Sequence, residues 1–172
     1  MPTGIHEMFI AGVEAAIYSQ LRLISDGSNG AALFAQKVHP ARSTEIHFPV
    51  DDPVDDPVDN APPSTKSKHE PDASFWHQGA QYPGVIIEVA YSQKRKSLGW
   101  LAEDYLLDSD ASVQVLVGLD IEYGKKGSRK ATLSIWRTHV VHTPDGDELR
   151  VIQEIADEVC PILRQYSFVL NF

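Results

Sequence analysis

Two carboxylates carry the chemical interest of this sequence. Asp72 follows a proline at the start of a short strand-like segment, Pro71-Asp72-Ala73-Ser74-Phe75, and Glu88 lies inside GVIIEVAY, Gly84 to Tyr91, the most β-branched run in the chain. A carboxylate within such a run is costly unless it is paired, hydrogen-bonded or bound to metal. Strand alternation sets Val85, Ile87, Val89 and Tyr91 on one face and Ile86, Glu88, Ala90 and Ser92 on the other. If the segment at Asp72 pairs beside this strand, it meets Glu88 on the second face. Two carboxylates completed by water form a hard-oxygen site suited to Mg or Mn.

Cations follow the second carboxylate closely. Gln93, Lys94, Arg95 and Lys96 stand just past the strand end. They read either as a solvated helix start or as a source of one positive or polar group for the site, and a cation at a helix N-terminus favours an anion nearby. A second basic group, Lys125, Lys126, Arg129 and Lys130, occupies a hairpin turn where exposed lysines are common. Trp76 and His77 follow the Asp72 segment, Trp100 lies after Glu88, and Trp136 shares a strand with His139 and His142. Convergence of Trp76, His77, Trp100, Trp136 and His139 would make a pocket for an apolar or planar small molecule; separately they are core residues. On a strand His139 and His142 point to opposite faces and do not share a metal. Cys160, the single cysteine, reads as an inert buried thiol and excludes an intrachain disulfide. P-loop, dinucleotide-binding and nucleophile-elbow motifs are absent from the sequence.

Pro71-Asp72, an interval of fifteen residues, and then Glu88-Val89-Ala90 resembles the PD-(D/E)XK, or restriction-endonuclease-like, superfamily, and most closely its small stand-alone putative restriction endonuclease domains. The resemblance covers about Phe48 to Tyr123 and includes Ser92-Gln93 and a helix from Leu98 to Tyr105. It implies that Asp72 and Glu88 hold a divalent metal, that a Lys steadies the attacking water or developing charge, and that an acid on the first helix, here Glu14 or Glu7, adds a ligand. The Lys position two residues after the Glu is Ala90, and the alternative position four residues before the Tyr is Leu101. Both are apolar, so Lys94 or Lys96, or Gln93 as a neutral substitute, must take that role.

These residues need a scaffold. Ile5, Phe9, Val13, Ile17 and Leu21 recur at helical spacing and predict a helix from about His6 to Leu23, ended by the SDGSNG segment. Strands are expected at Ala32 to Val38, Thr44 to Phe48, the Asp72 segment and Gly84 to Tyr91, and a helix from about Lys94 to Asp108. A hairpin of Val113 to Tyr123 and Lys130 to Val141 follows. Glu148 to Cys160 has helix-like apolar spacing, with an edge strand at Arg150 to Ile155 as the alternative. The order predicts an α/β fold, a mixed central sheet flanked by helices.

At 172 residues and 42% hydrophobic, the chain has the size and composition of one domain with one core. Its formal charge of -9 disfavours general nucleic-acid binding. Six acids against two lysines in residues 51–70, which contain a tandem DDPV repeat, place four of those net charges in a stretch expected to be a disordered acidic loop. No apolar run is long enough for a membrane span and the start lacks secretion-signal features, so an intracellular protein, cytoplasmic or nuclear, without a membrane partner is expected. Three functions fit: a divergent or degenerate Mg/Mn-dependent nuclease-like domain, the same scaffold reused as a small-molecule binder or biosynthetic enzyme, and a non-catalytic interaction module. The sequence leaves a homodimer open.

Overall fold

The structure, a computed structural model, describes residues 4–48, 67–91, 96–121 and 131–159. The acidic repeat, Gln93, Lys94, Arg95, the basic turn and Cys160 lie outside the described residues. The opening periodicity forms α1 (Gly4–Ser25), and Asp26 through Asn29 break it. Asn29 then caps a second helix, α2 (Gly30–Ala35), by accepting the Ala32 N–H at 2.9 Å. This corrects the strand expected at Ala32 to Val38. Only its end is extended, as β1 (Val38–Pro40).

The remaining elements are β2 (Ile46–Phe48), β3 (Ser67–His69), β4 (Ala73–His77), β5 (Val85–Tyr91), α3 (Lys96–Asp108), β6 (Val115–Ile121), β7 (Ala131–Thr143) and β8 (Gly146–Val159). β3 corrects the reading of residues 51–70 as loop throughout, because Ser67–His69 pairs antiparallel with β2. β8 replaces the helix expected at Glu148 to Cys160 and is longer than the edge strand weighed against it.

Six strands form one sheet in the order β1-β4-β5-β6-β7-β8. Only β5 and β6 run parallel, joined across the face by α3, and the other pairs are antiparallel. The fold is thus mixed α/β, as the element order implies. The alternation read from β5 divides the core. Ile87 and Val89 join Ile10, Val13, Ala73, Phe75 and Leu119 under α1, whereas Ile86 and Ala90 join Leu98, Ala102, Tyr105, Leu106 and Leu116 under α3. Each fully buried large apolar side chain contributes about 1.5 to 3 kcal/mol.

β6 pairs with β7 only from Ala131 to Trp136, yet β7 and β8 remain paired to the Thr143–Gly146 turn. The hairpin therefore continues past the sheet as a two-stranded ribbon. At its base the β7–β8 register shifts near Ile135, and Asp157 there takes a left-handed backbone (φ 54°). Among the described residues no helix is long and apolar enough to cross a membrane.

Candidate functional site

The site lies where β4 begins and β5 continues past it. Antiparallel pairing of Ala73 with Ile87 brings Asp72 beside Glu88, one residue beyond the last rung. β5 still presents the Val89 N–H to the side that β4 has vacated, and Asp72 Oδ2 accepts it at 2.7 Å. The carboxylate thus completes the ladder where the backbone stops. His6, on the first turn of α1, brings Nε2 to 3.4 Å from the same oxygen, so Asp72 is held from the sheet edge and from the helix above.

The Glu88 side chain reaches toward α3. Tyr105, 1% exposed, donates its hydroxyl to Glu88 Oε1 at 3.0 Å. Aromatic rings close over this pair. His69 on β3 lies 4.9 Å from the Tyr105 ring, and Phe48 on β2 lies 6.3 Å from it in an edge-to-face arrangement and 5.0 Å from Tyr82. The small β2–β3 sheet thus packs against Tyr105, the partner of Glu88.

Burial, and then the neighbouring Asp72 charge, pushes the Glu88 carboxyl up to about 8, with the Tyr105 hydrogen bond opposing the rise. Tyr105 itself is pushed well above the usual phenol range by burial and by the Glu88 charge. Near neutral pH the Glu88 carboxyl therefore resists giving up its proton.

The strand carrying Glu88 does pair beside the segment that follows Asp72. The other members of the expected site are distributed differently. Glu14 lies two turns along α1 from His6, where burial raises its carboxyl and the Arg42 charge opposes the rise; one of its oxygens is buried without a hydrogen-bond partner among the described residues. The α1 residue at Asp72 is His6 instead, while Glu7 lies on the exposed side. Among the described residues no three His, Cys, Asp or Glu side chains gather as a metal cluster. Ala90 and Leu101, at the two positions where the resemblance places a Lys, pack in or against the core under α3. Gln93 and Lys94 lie outside the described residues; the backbone of Lys96 opens α3, and its side chain is outside them.

The aromatic residues do not converge on one pocket. Trp76 bonds Ala80 O at 2.8 Å, and His77 stacks on Phe34 at 4.7 Å, both on the β4 side of the sheet. His139 and Arg137 share Glu154 on the ribbon at 3.2 and 3.0 Å, and His142 binds Asp147 at 2.5 Å, so the two histidines engage different carboxylates. Of the named aromatic residues, only Trp100 and Trp136 share a cavity. They line a cavity of about 430 Å³ between α3 and β6–β8, together with Glu103, Gly118, Asp120 and Asp157.

Sequence reasoning missed His6, Tyr105 and His69 as site residues. His6 precedes Ile10 by one helical step on the buried stripe of α1, which is a signal, but one that acquires meaning only once α1 is seen to start over Asp72. From the sequence alone Tyr105 is a helix position and His69 part of a loop. Comparisons with protein-family models, with curated proteins and with solved structures find no match for this chain.

Proposed function

We propose that this chain is a divergent metal-dependent nuclease-like domain, built for phosphodiester hydrolysis of the PD-(D/E)XK type, with Asp72 and Glu88 as its cation-binding pair. The observation that supports this reading is the placement of two carboxylates as cross-strand neighbours at the start of β4, one of them reluctant to ionise beside the other. A divalent cation turns that repulsion into shared attraction.

The donor set fits a hard cation. Val89 engages Oδ2 of Asp72 and Tyr105 engages Oε1 of Glu88, which leaves each carboxylate its second oxygen as a donor. With only two protein carboxylates, water and a substrate phosphate would complete the shell, as Mg commonly requires. When bound, Mg or Mn supplies Lewis acidity and a more acidic water. The protein's own contribution is positional: Val89 and His6 fix Asp72, and Tyr105 orients Glu88. Neither Ala90 nor Leu101 can donate to a phosphoryl oxygen, so one electrostatic contribution, worth roughly 2 to 4 kcal/mol at comparable sites, must come from Lys94, Lys96 or Gln93 or be lost.

Calorimetric titration of Mg and Mn into wild type, Asp72→Asn and Glu88→Gln, followed by a supercoiled-plasmid nicking assay, tests the reading. Wild type is expected to bind at millimolar metal or below, both variants to lose binding, and nicking to be slow and abolished by either substitution. Absence of binding heat at millimolar metal refutes the cation site. Binding without nicking refutes hydrolysis and leaves a metal-binding scaffold. A second reading, a small-molecule binder on the same scaffold, is favoured by the cavity that joins Trp100 to Trp136.

A further inference from the structure

The cavity between α3 and the β6–β8 end of the sheet is separate from the carboxylate pair and is built by an unusual concession in the sheet. Gly118 occupies the middle of β6, where glycine gives up cross-strand packing. A Cβ there would stand 2.7 Å from Cζ3 of Trp136 and 3.1 Å from Cδ1 of Leu98. Glycine is therefore required for the Trp136 indole to lie across the sheet, 8% exposed, as the wall of the cavity. Trp100, on the first turns of α3, is the mouth residue and is 75% exposed.

The charged groups around these indoles are all acidic, with Ser134 and Gln153 as the neutral polar lining. Glu103 comes from α3, Asp120 from β6 and Asp157 from the β8 register shift, and no Lys, Arg or His is among the described residues that line the space. Asp157 is set in place locally: its backbone N–H donates to Ser134 Oγ at 3.1 Å, and the left-handed backbone turns it out of the regular strand alternation. Three carboxylates offer acceptors only, each with several lone-pair directions, so each can serve a ligand donor as well as a donor from the protein. Indole faces attract cations electrostatically. The volume is that of a small-molecule pocket rather than of a groove for a polymer.

From this combination we infer that the cavity is a binding site for an organic cation, a small amine or guanidine whose N–H donors meet Glu103, Asp120 and Asp157 while its carbon frame lies against Trp136 and Trp100. A phosphate-bearing ligand is disfavoured by the same carboxylates. The site does not depend on the nuclease-like reading, since Asp72 and Glu88 take no part in it.

The probes are phenethylamine and agmatine, with 2-phenylethanol as the uncharged counterpart of the first, titrated into the full chain by isothermal calorimetry in metal-free buffer. At least one amine is expected to bind, with the alcohol weaker by about tenfold, the share that a desolvated cation and its indole contact supply. Trp100→Ala and Glu103→Gln alter exposed side chains and leave the far-ultraviolet circular dichroism unchanged; each is expected to weaken the amine about threefold to tenfold. Asp72→Asn, at the other site, is expected to leave amine affinity unchanged. Equal affinity for amine and alcohol, no binding of either amine at millimolar concentration, or unaltered affinity in both folded variants would overturn the assignment.

Discussion

Replacing Glu88 by Gln keeps the shape of the side chain and the oxygen that accepts the Tyr105 hydroxyl, but removes the proton that the buried carboxyl holds. The folded-state value of about 8 lies above the ordinary 4.5, so between those limits the native protein retains a proton that the unfolded chain has released. Stability must then fall as pH rises through that window, because ∂ΔG/∂pH follows the protons bound by the unfolded state minus those bound by the native. Below about 4.5 both states are protonated and the contribution is fully present; above about 8 it is fully lost. At about 1.4 kcal/mol per pH unit, the full window sets an upper bound near 5 kcal/mol. Relaxation of a half-buried site and water penetration reduce this to roughly 2 to 3 kcal/mol. Urea denaturation of wild type and Glu88→Gln at pH 5, 6, 7, 8 and 9, with chelator present, reads the difference directly. Wild type should lose roughly 2 to 3 kcal/mol relative to Glu88→Gln across this range, with most of the change between pH 5 and 8. A difference constant to within about 0.5 kcal/mol from pH 5 to 9 would show that Glu88 ionises as an ordinary surface carboxyl, and the desolvation argument would fail with it.

Two further perturbations probe the surrounding structure. Gly118→Ala forces a methyl group against Trp136 and Leu98, and should cost about 1 to 3 kcal/mol while altering the near-ultraviolet tryptophan signal; a variant as stable as wild type would mean that Trp136 moves freely. Tyr105→Phe removes the one hydroxyl that favours the ionised Glu88, so the pH window should extend upward and stability at pH 7 fall by about 1 kcal/mol, and an unchanged pH profile would separate Tyr105 from the carboxyl.

The parts of this fold that were legible in the sequence are those whose pattern matches their environment. β5 lies between two helical layers and reads as a continuous apolar run, with Glu88 standing out as the single conflict within it. The long periodicity of α1 survives because one face alone is buried. α2 was misread because six residues hold too few turns to show a period, and its cap, Asn29, lay within a segment that reads equally well as a turn. β8 was misread for a different reason. Its partly buried residues Leu149, Val151 and Ile155 are spaced by two and then four, since the register shift between Gln153 and Ile155 interrupts the alternation. Ile152 and Val159 complete a spurious helical spacing from the exposed side. The carboxylate pair was legible because Asp72 leads directly into the strand that pairs beside the strand of Glu88. The layer that tunes it was not, because His6, His69 and Tyr105 arrive from three elements far apart in the chain.

Asp72 serves as the final rung of the β4–β5 ladder by taking the Val89 N–H with its side chain. An aspartate in that position has a reason to persist that is indifferent to turnover: without it, a buried amide at the strand end loses its acceptor. Loss of activity in an Asp72 variant would therefore not by itself show a catalytic role, because the same change can remove a structural acceptor.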